Sequence, residues 1–325
     1  MRGTTPLDPA GAIVRRALSR EAPYPHLWGP SLLGPALLGP ALLSWAKYDM
    51  PPAIMGILNA TPDSFASGGA AATIAQGQAM IAQGATILDI GGESTRPGAQ
   101  PVPPCEEQAR VLPLIKALAG QGADISIDTR NATTMQAALD AGATMVNDVT
   151  ALSHDPEAAG IVARYACRVV LMHMRGTPQT MTGLARYTDV VAEVKAELSA
   201  RIDAALQAGI RRDSIIIDPG IGFAKSAEQN VQLLRRLAEF AAFDLPILVG
   251  VSRKSFIGVY GGQADPLQRV SGSIAAALFA VTQGANILRV HDVAETRQAL
   301  NVWQTLSRGI ENQSGPGPHA KAYSA

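Results

Sequence analysis

Asn59, Asp89, Asp128, Asn147, Asp148, His173, Asp218, the run Arg253-Lys254-Ser255, and the pair Arg289 and His291 each stand at or just past the end of a short aliphatic run. Carboxylates and amides of this kind can read the edge of a polar planar heterocycle, because one carboxylate accepts two parallel hydrogen bonds from an N–H beside an NH2. Cations facing them suit an anion. Arg289 and His291 lie two positions apart on one run, so in a strand they share a side and could hold phosphate oxygens. Any one of these residues could equally be a helix cap or a strand-end hydrogen bond, since Asp, Asn and Ser lead at caps. That all eight runs end in this way points to a shared site.

The elements that must position them are strand-like runs at 53–58, 86–90, 124–127, 144–147, 168–172, 214–217, 247–251 and 286–290. Continuous aliphatic runs of this length read as buried parallel strands. Between most of them lie segments of helical period, such as Val191, Val194, Leu198, Ile202 and Ala205, which form one apolar face. Gly84, Gly142, Gly209 and Gly284 each stand just ahead of a strand, where a left-handed residue ends a helix. Repeated αβ units over roughly 250 residues predict a single (β/α)8 TIM barrel, an α/β fold whose active face gathers the carboxyl ends of the strands. A doubly wound open sheet is the alternative, but no G-x-G-x-x-G follows the first run.

Composition bounds the rest. With 325 residues, 47% of them hydrophobic, the chain can bury a large core, and 27 basic against 27 acidic residues give no support to a nucleic-acid coat or membrane-surface role. Cys105 and Cys167 lie far apart without metal spacing, which favours a reducing, cytoplasmic setting. The organisation expected is an N-terminal Pro/Leu-rich extension over 1–50, a barrel over 51–308 and a flexible, disordered tail over 309–325. The extension repeats Leu-Leu-Gly-Pro-Ala, and its Gly-Pro breaks argue against a spanning helix, as its position argues against a signal peptide.

Several longer motifs then name a family. Met55-Gly56-Ile57-Leu58-Asn59-Ala60-Thr61-Pro62-Asp63-Ser64-Phe65, Asp89-Ile90-Gly91-Gly92-Glu93-Ser94-Thr95-Arg96-Pro97-Gly98-Ala99, Leu171-Met172-His173-Met174, Asp218-Pro219-Gly220-Ile221-Gly222-Phe223, Ser252-Arg253-Lys254-Ser255 and Arg289-Val290-His291-Asp292 together resemble dihydropteroate synthase. That family is a pterin-binding (β/α)8 barrel of folate biosynthesis. It joins (7,8-dihydropterin-6-yl)methyl diphosphate to 4-aminobenzoate with loss of diphosphate, and sulfonamides compete with the aminobenzoate.

The resemblance implies roles residue by residue. Asp128, Asn147, Asp218 and Lys254 would read the pterin, with Met172 as an apolar wall. Asn59, Arg289 and His291 would hold the diphosphate, with Mg2+ bridging its oxygens near Asn59. Phe65, Thr95, Arg96, Pro97, Phe223 and Ser255 would build the aminobenzoate site. Asn59, Asp128, Lys254, Arg289 and His291 would carry the catalysis, by ionisation of the substrate first and attack by the aniline nitrogen second. A homodimer is expected on the same ground. The chain departs from the family at Ser67, where an acid is usual; Ser67→Asp is expected to raise kcat.

Three other readings compete. A pterin-binding methyltransferase acting on methyltetrahydrofolate shares the barrel but needs no diphosphate clamp. A metal-dependent hydrolase would want His-x-His at the first strand, where Asn59 stands. A weakly active or non-catalytic paralogue would be favoured only by Ser67.

Overall fold

The computed structural model describes residues 51–60, 69–96 and 98–308. The extension, the tail, Phe65, Ser67 and Pro97 lie outside the described residues. Among the described residues there are eight strands: β1 Ala53–Asn59, β2 Ile87–Gly91, β3 Asp124–Asp128, β4 Met145–Asp148, β5 Arg168–Met172, β6 Ile215–Asp218, β7 Leu248–Val249 and β8 Ile287–Val290. All pairs are parallel, in the order β6-β5-β4-β3-β2-β1-β8-β7. A bridge between Ile217 and Ile247 brings the two ends together, giving a nearly closed barrel. The helices between and after the strands are α1 Gly69–Ala82, α2 Pro104–Leu118, α3 Ala132–Asp140, α4 Ala158–Tyr165, α5 Val190–Gln207, α6 Ala227–Arg235, α7 Ser255–Gly261, α8 Val270–Thr282 and α9 Val293–Arg308.

Strand periodicity sorts the core into two parts. Outward-facing Ile54, Leu58, Leu88, Ile90, Ile125, Ile127, Val146, Val169, Leu171, Ile215, Ile217, Val249, Leu288 and Val290 pack against the helices. Inside the barrel, Ala53, Met55, Ile87, Met145, Val170, Ile216, Leu248 and Ile287 form a separate apolar plug. Side chains alternate along a strand with period two. The next inward position above the plug is therefore Asp89, Asn147, Met172, Asp218 and Arg289, and, above buried Ser126 of β3, Asp128. One layer of the barrel is greasy and the layer above it is polar.

Helix packing follows the sequence pattern. On α5, Val191, Val194, Leu198, Ile202 and Ala205 are all buried, and Asp189 caps the helix by accepting from the amides of Val191 and Ala192. Gly84, Gly142, Gly209 and Gly284 do take left-handed backbone, with φ of 101°, 112°, 90° and 98°. The largest difference from expectation is β7, which is much shorter than the run 247–251. Pro246 has no N–H to give, and the Ile247 amide donates to the side-chain oxygen of Asn286 at 2.9 Å rather than to β6.

Candidate active site

The polar layer holds one buried charge cluster built across the barrel. Asp89 of β2 is fully buried, and its Oδ2 accepts from Asn147 Nδ2 at 2.9 Å and from Arg289 Nε at 2.6 Å. Arg289 Nη2 donates to Asp128 Oδ2 at 2.7 Å. Burial would discharge Arg289, but Asp89 and Asp128 keep its pKa raised. Burial pushes the Asp128 carboxyl upward, with the nearby Asp89, Glu107 and Asp148 carboxylates adding to the rise and Arg289 opposing it. The two carboxylates share a single guanidinium, the arrangement expected where like charges crowd a site. Asp148, the neighbour of Asn147, instead closes its own turn: its carboxylate accepts from the amide and hydroxyl of Thr150 and from the amide of Leu152.

On the far side, Asp218 ends β6 and accepts from the Gly220 amide at 2.7 Å. Burial raises its pKa, against the pull of Lys254. Lys254 reaches in from beyond β7 to the Ile221 carbonyl, with its ammonium 4.6 Å from the centre of the Phe223 ring. Burial lowers its pKa to about 8. Gly220 (φ +71°) lets this loop lie on the end of β5; a Cβ there would stand 1.9 Å from the His173 carbonyl oxygen.

Ser252, Arg253, Lys254 and Ser255 divide between tasks. Ser252 Oγ lies 3.0 Å from His291 Nδ1 and accepts from the His291 amide at 3.2 Å. The hydroxyl has a proton to give and a second lone pair to offer, so it suits either tautomer; the one in which it donates to Nδ1 leaves Nε2–H on the imidazole. Burial lowers the His291 pKa to about 4, helped by Arg253 and Arg289, so this histidine is a neutral donor. Arg253 (φ +60°) turns to Asp292, binding both its carboxylate oxygens, while its amide donates to Ser273 Oγ. It anchors the loop. Ser255 is exposed as the first residue of α7.

Around the rim, a cavity is lined by Glu93, Thr95, Glu107, Asp128, Thr129, Arg130, Val149 and Pro178, which joins the β2–α2 loop to the floor at Asp128. Arg96 is exposed and close enough to His291 to help lower its pKa. Asn59, at the end of β1, has no side-chain hydrogen bond to another described residue. The structure thus brings Asn59, Asp128, Asn147, Met172, Asp218, Lys254, Arg289 and His291 to one face. Thr95, Arg96, Phe223 and Ser255 stand around it.

Residue-by-residue reading missed Lys225. Its ammonium donates to the carbonyls of Gly220 and Phe223, each at 2.9 Å, and lies 3.0 Å from His173 Nδ1. His173 Nε2 is 2.9 Å from Glu197 of α5. The pair of glycines in Gly220-Ile221-Gly222-Phe223-Ala224-Lys225 was the available sign that the loop coils around something. Buried Glu107, whose Oε2 accepts from Asn131 Nδ2 at 2.9 Å, was also missed; with Glu106 beside it in the first turn of α2 it reads as an ordinary helix-start acid.

The family model described as "Pterin binding enzyme" matches residues 55–291. A dihydropteroate synthase from Synechocystis is 47% identical over 260 residues, covering 78% of this chain and 90% of the relative. The solved structure of the Xanthomonas albilineans dihydropteroate synthase with 4-aminobenzoic acid superposes with a TM-score of 0.75 at 49% identity, covering 80% of this chain and 94% of that one. The same enzyme in complex with 7,8-dihydropteroate gives a TM-score of 0.72 at 46% identity, covering 79% and 94%. With identity of this order over most of both chains, and the same barrel beneath it, the chain belongs to the dihydropteroate synthase family of pterin-binding enzymes.

Proposed function

We propose that the chain condenses (7,8-dihydropterin-6-yl)methyl diphosphate with 4-aminobenzoate, releasing diphosphate and forming 7,8-dihydropteroate. The observation that carries this reading is the polar layer directly above the apolar plug, where Asp128, Asn147, Asp218 and Lys254 face one space. A flat heterocycle would rest there against Met172. Its amino and ring N–H groups would meet the carboxylates, and its carbonyl would meet the Lys254 ammonium.

The leaving group falls to Arg289 and His291. Arg289 uses Nε and Nη2 on Asp89 and Asp128, which leaves Nη1 to donate to a diphosphate oxygen. His291 would add an Nε2–H. Donors already aimed at an oxyanion need little reorganisation as charge grows on it. Mg2+ suits the donor set: Asn59 offers a hard amide oxygen, and no group of three or more His, Cys, Asp or Glu among the described residues forms a protein cage. This is the pattern of a cation that keeps its waters and takes phosphate oxygens. When bound, Mg2+ would neutralise charge on the leaving diphosphate, and Asn59 would hold it in place. Phe223, Ser255, Thr95 and Arg96, with Phe65 and Pro97, would seat the aminobenzoate so that its amine faces the electrophilic methylene. An arylammonium product loses its proton readily, so no strong base is required.

The test is diphosphate release. It should require both substrates, and no release from the two together by fully folded protein would defeat the assignment. The methyltransferase reading is not favoured, since relatives of high identity are synthases. We also propose a homodimer; exposed Val259, Tyr260 and Leu267 supply an apolar surface that pairing would cover, and sedimentation would decide it. No helix among the described residues is long and apolar enough to cross a membrane.

A further inference from the structure

The loop after β6 is held from beneath by two ammonium groups. Its carbonyls are divided between them: Gly220 and Phe223 accept from Lys225, and Ile221, between them, accepts from Lys254. Lys254 reaches the loop from beyond β7, whereas Lys225, on the loop itself, turns toward the end of β5. There its ammonium meets His173 Nδ1 at 3.0 Å. An ammonium only donates, so Nδ1 is the acceptor and Nε2 carries the imidazole proton. That proton goes to Glu197, which Arg175 also binds. His173 itself is buried, and its amide donates to the Asp218 carbonyl at 2.9 Å. A continuous chain of hydrogen bonds therefore runs from Arg175 and Glu197 at the surface, through His173 and Lys225, to the carbonyls of Gly220 and of Phe223 itself.

We propose that Lys225 is a positioning residue for the aminobenzoate subsite, fixing through His173 and the loop carbonyls where Phe223 stands. This rests on the reaction assigned above. Removing the ammonium orphans the Phe223 carbonyl and an imidazole nitrogen and leaves the Gly220 carbonyl with the Phe223 amide alone, at 3.1 Å, and unmet acceptors are relieved most easily by moving the loop that bears them. Of the pterin readers, Asp128 and Asn147 on β3 and β4 lie outside that loop, while Asp218 and Lys254 touch it at Gly220 and Ile221 rather than at Phe223, so the aminobenzoate KM should move well beyond the pterin KM.

The pH dependence gives a second signature. Burial lowers the Lys225 pKa to about 7, with Asp218 opposing and Lys254 adding to the effect. The groups facing it are His173 at the end of β5, Asp218 on β6, Lys254 beyond β7, Glu197 on α5 and Arg175 after β5. Below that pKa all three of its protons are in place, and above it one donor is lost. The KM for aminobenzoate should therefore rise as pH passes upward through about 7. Lys254 titrates in both wild type and Lys225→Met, so the difference between the two profiles isolates Lys225.

The experiment measures KM for each substrate in wild type and Lys225→Met across this pH range. Wild-type turnover is read first and decides the reaction by itself. Given turnover, Lys225→Met should raise the aminobenzoate KM by about tenfold, the scale of one buried unsatisfied group. Its KM for pterin diphosphate should stay within about twofold of wild type, and the pH step should vanish. An unchanged aminobenzoate KM, or an equal rise for both substrates, overturns the role of Lys225 and leaves the reaction standing. Should Lys225→Met fail to fold, Glu197→Gln, with a side chain 41% exposed, serves instead. It should raise the aminobenzoate KM alone by about threefold, as a weakened charge-assisted bond would; no change overturns the proposal.

Discussion

The two halves of the barrel mouth present opposite chemistry. Strands β1 to β4 end in Asn59, Asp89, Asp128, Asn147 and Asp148, amides and carboxylates, with Arg96 and Arg130 only in the loops beyond; the ends of β5 to β8 bring Lys225, Arg253, Lys254 and Arg289, with neutral His173 and His291 and with Asp218 on β6. The chain as a whole carries no net charge. Its electrostatics lie in how charge is divided across one opening rather than in a sum. Arg289 is the residue that crosses, leaving the cationic half to bind Asp89 and Asp128 opposite.

The strongest way to break this division is Arg289→Met. It leaves two buried carboxylates without their cation and should cost about 3–5 kcal/mol, as expected when one partner of a buried pair is removed. Urea unfolding would measure it, and adding Asp89→Asn should restore part of the loss; no restoration would mean the two sites are not coupled. Diphosphate release should fall by two orders of magnitude or more, roughly the loss of a preorganised donor.

Next comes Lys254→Ala, which should weaken pterin diphosphate binding by about a hundredfold, the upper range for an orphaned buried acceptor. In wild type the ammonium is present below a pKa of about 8, so affinity should decline as pH rises through that value, and the variant should lack this decline. Titration calorimetry at pH values on either side would show it. A smaller effect is expected of Asn59→Ala: about tenfold weaker diphosphate binding with Mg2+ present, on the scale of a lost ligand-holding contact, and little change without it. Equal losses in both conditions would move the cation elsewhere. The least effect belongs to Arg253→Ala, within about 1 kcal/mol of stability for a partly exposed ion pair and with kcat/KM near wild type. A tenfold drop in kcat/KM would make Arg253 part of the site.

The barrel was legible because its strands are aliphatic runs with glycine-ended helices before them; β5 begins and ends as expected, and most others shift by one residue. Legible too was the face, since residues at the ends of parallel strands cannot avoid meeting. Hidden was the pairing across it. Arg289 and Asp89 are separated by 200 positions, and nothing local to either tells that a guanidinium placed for phosphate is first held by carboxylates. His291 looked cationic beside Arg289, but burial and the neighbouring guanidiniums of Arg253, Arg289 and Arg96 keep it neutral. Lys225 went unread because, besides His173, its partners are backbone carbonyls, which every sequence has.

The shortness of β7 has one last consequence. Seven of the eight strand seams are laddered, whereas β6 and β7 meet through a single bridge, with the Ile217 amide donating to the Pro246 carbonyl at 3.0 Å. A seam so lightly stitched opens at low free energy, so amides along it should exchange with solvent before those of β1 to β5. Asp218 stands on one bank and Lys254 on the other. A pterin held by both would act as a clasp, and its binding should slow exchange at this seam in proportion to its occupancy.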